Sequence, residues 1–226
     1  MIELKAVDRI FTVGEQRVHA LRHIDLHIMP GEYISIMGPS GSGKSTLLNI
    51  MGLLDRPNSG SYLFEQQEVS ALSDNEQAKV RRERIGFVFQ FFHLIPRLTA
   101  AENIELPLML SGVPKSQRRP RVEEILESLG LSERAHHRPE QLSGGQRQRV
   151  AIGRATVTRP SLLLADEPTG NLDRATGQEM VTILEQLNEQ GITLIVVTHD
   201  PELGQRAHRR LRMVDGEIVA DIGKTT

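Results

Sequence analysis

The sequence predicts an α/β fold organised around a largely parallel sheet, with a small antiparallel sheet near the N-terminus and a mainly helical lobe. Three observations carry that prediction. Short apolar runs alternate with stretches of helical spacing over much of the 226 residues, the pattern of strand–helix–strand units. Four of the runs, residues 33–37, 84–89, 161–165 and 192–198, are mostly apolar, as strands covered on both faces must be. The first of them leads into a glycine-rich loop that opens a helical run.

In chain order, the first thirty residues and the stretch 61–68 read as short strands with turns, which gives the antiparallel sheet. The strand at 33–37 is followed by the loop and a helical run at 46–54. Residues 91–160 carry few strand signals and form the helical lobe. Within it, 94–114 reads as a linker interrupted by one short helix, because Pro96, Pro107 and Pro114 break the pattern. Val122, Ile125, Leu126 and Leu129 have helical spacing and meet a stop at Gly130; Met180, Ile183, Leu184 and Leu187 do the same before Gly191. Both stripes are expected to pack on the core. No internal repeat or low-complexity tract is visible.

Composition excludes several classes. Hydrophobic residues make up 38% and charged residues 25% of the chain, which is ordinary for a folded domain and unlike a disordered or fibrous one. The aliphatic stretch at 192–197 is far short of the roughly 20 residues a membrane helix needs. The start, Met1-Ile-Glu-Leu-Lys, has no basic stretch leading into an apolar one, so no secretory signal is expected. There is no cysteine, hence no disulfide, thiolate metal site or cysteine nucleophile, and a cytosolic setting is expected. Lys and Arg number 27 against 29 acids, a net charge of −2, which weighs against nucleic acid as a partner. The basic clusters at 79–84 and 205–212 read as solvated faces, and His136 and His137 as surface histidines.

The loop Gly38-Pro39-Ser40-Gly41-Ser42-Gly43-Lys44-Ser45 fits the pattern G-x-x-x-x-G-K-[ST] between a strand and a helix, with Thr46 next. Glycines let the backbone bend until several N–H groups converge, and the helix N-terminus adds positive potential, so the loop suits phosphate oxygens. Lys44 supplies a mobile positive charge. Ser45 offers a hydroxyl to Mg²⁺, a cation that takes oxygen ligands.

The run 162–165 ends in Asp166 and Glu167, at the carboxyl edge where open parallel sheets bind ligands. Neighbouring strand residues face opposite ways, so the acids divide the work. Asp166 is expected to hold Mg²⁺, directly or through water, and Glu167 to face the γ-phosphate and polarise a water. An acid pair here can also cap the next helix; the phosphate loop favours the catalytic reading. The string Leu142-Ser143-Gly144-Gly145-Gln146 precedes another helical run. It reads either as a second anion-binding helix start or as a plain serine cap.

Together, the phosphate loop, the glutamine in Phe89-Gln90-Phe91, the string 142–146, the acid pair, Asn171-Leu172-Asp173 and Thr198-His199-Asp200 resemble, in that order, the nucleotide-binding domain of ABC ATPases. The resemblance covers nearly the whole chain. It implies a P-loop NTPase of the ABC ATPase type: one cassette over residues 1–226, with a RecA-like parallel-sheet core, an antiparallel β subdomain and a helical subdomain at about 91–160. It further implies ATP hydrolysis in a head-to-tail pair of cassettes, each ATP lying between the phosphate loop of one copy and Ser143, Gly144, Gly145 and Gln146 of the other. Gln90 would attend the Mg²⁺ and its water and sense a membrane partner, His199 would contact the γ-phosphate, and Asp173 would lie at the interface between copies. Phe11 stands where the family places an aromatic ring on adenine, with Phe in place of the commoner Tyr.

A closer similarity, carried by residues 31–50, 85–90, 94–96, 99–103 and 165–173, is to the MacB and LolD group of exporters and lipoprotein-releasing systems. It implies a separate permease with an extracytoplasmic domain, and a place on the cytoplasmic face of the inner membrane through that permease. The alternatives are an FtsE-like regulatory ATPase and a soluble ABC ATPase outside transport. A P-loop kinase would have no use for the string 142–146.

Overall fold

The computed structural model describes residues 1–14 and 16–223. The N-terminal strands β1 (Ile2–Val13) and β2 (Gln16–Ile28) pair antiparallel, and β4 (Ser59–Phe64) and β5 (Gln67–Glu68) complete a four-stranded sheet in the order β2-β1-β4-β5. The second sheet holds the four strands expected from the apolar runs: β3 (Tyr33–Met37), β6 (Ile85–Phe89), β7 (Leu162–Asp166) and β8 (Thr193–Val197). They pair parallel, and β9 (Arg209–Val214) joins them parallel beside β3, with β10 (Glu217–Ile222) antiparallel at the edge.

Period-two alternation splits the core. Leu162, Leu164, Ile195 and Val197 face the antiparallel sheet and the helix α1 (Lys44–Met51), where they meet Ile2, Leu4, Leu48 and Phe64. Leu163, Ala165, Leu194 and Val196 face the other way, onto α5 (Gly144–Thr156), α6 (Arg174–Glu189) and the helical lobe. Each large side chain fully buried in these layers contributes about 1.5–3 kcal/mol.

The stretch 94–114 holds the one helix expected there, and that helix is longer than its prolines suggest. Residues 100–110 form a complete helix, α3 (Ala100–Leu110), opened by a capping box between Thr99 and Glu102. Ala100, Ile104 and Leu108 are buried on one stripe. Pro107 stands inside the helix, where it has no N–H to give the carbonyl of Asn103. The helix α4 (Lys115–Ser128) buries Val122 and Leu126, as their spacing predicts, and Gly130 follows with φ 64°.

The two basic clusters part ways in the fold. The cluster at 205–212 is only in part the expected solvated face: Arg206 and Arg212 are exposed, but it runs into β9, where Arg209 is 2% exposed. Its guanidinium pairs with Asp221 (2.8 Å) and Glu32 (3.1 Å) and donates to the carbonyl of His27, tying three segments together. The cluster at 79–84 closes α2 (Asp74–Arg84) and is largely the expected solvated face: Lys79, Arg82 and Arg84 are exposed, while Arg81 donates to the carbonyl of Leu53.

Candidate active site

The end of β3 turns sharply into the glycine loop. At Gly38 (φ 156°) a Cβ would lie 2.1 Å from the carbonyl oxygen of Met213, and at Gly43 (φ 98°) 2.4 Å from that of Ala20. Side chains cannot enter here, so the loop is held between β9 and β2. Helix α1 then starts at Lys44 with no side-chain cap and no acid in its first turn, which leaves its positive end open toward the loop. Lys44 Nζ donates to the carbonyls of Gly38 (2.9 Å) and Pro39 (2.8 Å). Ser42 is buried.

Asp166 ends β7 beside the loop, near enough to Ser45 for the hydroxyl to favour its charged form. Burial pushes its carboxyl above the ordinary Asp value; Ser45 and Lys44 pull it down, Glu167 pushes it further up. Glu167 leaves the strand at φ 49°, its N–H bonded to the carbonyl of Val197. Its Oε1 lies 2.8 Å from His199 Nδ1, and the Glu167 side chain is 19% exposed against 75% for His199. β8 delivers the histidine to this edge through Thr198, which is fully buried and bonded to Ile36.

A cleft of about 940 Å³ opens over these groups. Of the residues expected from sequence, Phe11, Gly38, Ser40, Gly41, Gly43, Lys44, Ser45, Thr46, Asp166, Glu167 and His199 line it. Pro39 and Ser42 lie in the loop behind them. Gln90 follows the last residue of β6, whose register partner is Asp166. Its amide is turned to Asn171 Oδ1 (3.4 Å), and Asn171 donates back to the Gln90 carbonyl (2.9 Å). Ser143 to Gln146 stand outside the cleft. Ser143 is the cap of α5, with its hydroxyl accepting from Gln146 N–H and the Gln146 amide oxygen accepting from Ser143 N–H. Asp173 caps α6 through Thr176.

Sequence reading missed one wall. Arg17, His19 and Arg22 on β2, and Asp215 in the turn before β10, also line the cleft. Phe11 pairs with Val18 in the β1–β2 register, so hairpin pairing was the signal that could have found this strand. Arg9 lies over the Phe11 ring at 4.5 Å and is itself held by Asp55 at 2.8 Å. One face of the ring is thereby covered by a cation. His19 pairs with Asp8 at 2.8 Å.

Comparison with known proteins agrees with this geometry. A family model described as ABC transporter matches residues 21–170. The macrolide export ATP-binding/permease protein MacB of Hahella chejuensis is 53% identical over 221 residues, covering 98% of this chain and 34% of that protein. An ABC transporter ATP-binding protein of Thermotoga maritima is 52% identical over 218 residues, 96% of this chain and 93% of its own. The chain thus spans about a third of the MacB relative and nearly all of the second. A solved dimeric structure of the ATP-binding cassette MJ0796, in a post-hydrolysis state with ADP and Pi, superposes with a TM-score of 0.91 at 45% identity over the whole of both chains. With the phosphate loop, the acid pair and the capped string 142–146 in one fold, the chain belongs to the ABC transporter ATP-binding family and has the ABC ATPase fold.

Proposed function

We propose that this chain binds and hydrolyses ATP as the motor of a MacB- or LolD-like transporter, pairing head to tail with a second copy around two ATP and driving a membrane permease in export or extraction. One observation carries the pairing: Asp166, Glu167 and His199 converge on the phosphate loop, while the Ser143 helix start lies outside that cleft. A second copy would bring its Ser143, Gly144, Gly145 and Gln146 to the open side. The dimeric form of the MJ0796 cassette supports this arrangement.

Mg²⁺ fits the site. Ser45 and Asp166 line the same cleft side by side, and they form an all-oxygen pair of the kind this hard cation takes. When bound it would neutralise phosphate charge, with Gln90 attending its water. The protein groups do the rest by position. The N–H groups of the loop and Lys44 hold the phosphates, and Phe11 stacks the base on its uncovered face. Glu167 orients the attacking water, fixed by His199 through Nδ1, so that the histidine's other nitrogen can meet the γ-phosphate.

A permease partner is supported by two facts. The MacB relative joins ATP-binding and permease functions in its name and is about three times as long. In this chain Phe91 (68% exposed), next to Gln90, and Met109 and Leu110 leave apolar side chains exposed on the helical subdomain, proposed as residues 91–160. Among the described residues no helix is long and apolar enough to cross a membrane, and the proposed place is the cytoplasmic face, held there by the permease. Sedimentation of the Glu167→Gln variant with ATP tests the pairing. The expected result is a doubling of mass with ATP that is absent with ADP; a monomer at saturating ATP would overturn it.

A further inference from the structure

Arg154 lies near the C-terminal end of α5 and reaches out of the helix to the loop that follows Gln90. Its Nη1 donates to the carbonyl of His93 (2.5 Å) and its Nη2 to the carbonyl of Phe92 (2.8 Å). These consecutive non-glycine residues have φ of 57° and 48°, a region that such residues hold only when their surroundings fix it. Among the described residues Arg154 has no carboxylate within ion-pair distance, and its partial burial lowers its pKa. A charge partly buried against carbonyls alone is a costly packing device. What the guanidinium fork supplies is geometry, since two fixed donors hold two acceptors at once.

Other contacts extend the grip. Arg147, seven residues earlier and so on the same face of α5, lies over the Phe92 ring at 5.2 Å. On the packed side, a Cβ at Gly153 would stand 2.8 Å from Ile125 and 3.0 Å from Ile104 and Leu129, so α5 is seated tightly on α3 and α4. The loop at 91–93 and α5 therefore form one body, with exposed Phe91 at one end and Ser143 at the other.

We propose that Arg154 is a positioning residue whose guanidinium joins the loop after Gln90 to α5, so that a displacement of Phe91 carries Ser143 to Gln146 with it. The proposal rests on reading the α5 start as the phosphate-facing edge of the paired site. An ammonium at this position would offer no planar fork, and the two carbonyls would not be held together.

Hydrogen exchange and steady-state ATP hydrolysis on the full 226-residue chain test it. In Arg154→Met, amides 91–94 should exchange about tenfold faster while those of α1 and β7 keep their rates. The kcat should fall about tenfold with KM unchanged, and Arg154→Lys should recover less than half of it. Phe92→Leu, which removes only the ring contact, should raise exchange at the same amides to a smaller extent. Unchanged exchange at 91–94, a uniform rise through α3, α4 and α5, or full rescue by lysine would overturn the proposal. If the unaltered chain neither hydrolyses ATP nor pairs, the proposed function fails, while the exchange comparison still reports on the Arg154 clamp.

Discussion

Glu167 is held outside the ordinary backbone regions, at φ 49°, a placement that costs a non-glycine residue about 1–3 kcal/mol. The turn sends its carboxylate to His199 instead of continuing the strand. Glu167→Gln keeps the shape and removes the carboxylate proposed as the base, so ATP binding should persist while turnover drops by about two to four orders of magnitude in a phosphate-release assay. Lys44→Ala should act earlier, weakening ATP affinity itself in a direct binding titration. Asp166 has the opposite kind of perturbation. Folding raises its pKa, so the folded chain holds this proton more tightly than the unfolded one. Its charge therefore costs stability above the unfolded-state value, and that cost is relieved as pH falls through the raised pKa. Asp166→Asn should match or exceed the parent in thermal melting near neutral pH without nucleotide, yet lose Mg²⁺-dependent hydrolysis. These site residues were legible because the spacing of Gly38 to Ser45 and the acid pair encode their chemistry locally. The wall from Arg17 to Arg22 was not, since it reaches the cleft only through pairing with β1.

At the scale of elements, α5 separates two roles that the sequence left open for Ser143. Its hydroxyl is a working helix cap, and removing such a cap costs about 1 kcal/mol. Aspartate caps as well as serine but carries a negative charge. Ser143→Asp should consequently melt close to the parent in a thermal scan and still fail to pair in ATP, whereas Ser143→Ala should lose some stability. Normal ATP-dependent pairing of Ser143→Asp would leave Ser143 as a cap only. The helix α3 shows why the helix expected within 94–114 is longer than its prolines suggest. The Thr99–Glu102 capping box and the buried stripe of Ala100, Ile104 and Leu108 outweigh the one proline inside it.

Across the whole molecule, Arg209 links β9 to β10, to Glu32 before β3 and to the end of β2. Its partners are partly exposed, with side chains at 14% and 26%, so the pairing lies between surface and fully buried cases. Arg209→Met should cost about 2 kcal/mol in urea unfolding, chiefly by taking a charged donor away from two carboxylates and a carbonyl. The basic string 205–212 gave no hint of this, because charge counting along a chain cannot say which cation a sheet edge will enclose.

By itself the sequence determined the fold class, the four central strands and the residues of the phosphate loop and acid pair, because period, glycine placement and residue chemistry act over a few neighbours. Tertiary structure alone decided that Glu167 meets His199, that Arg209 is buried, that β2 walls the cleft and that Arg154 grips the loop after Gln90. Each of those contacts joins residues far apart in the chain, and their closeness follows from strand order and helix packing, which no local pattern specifies.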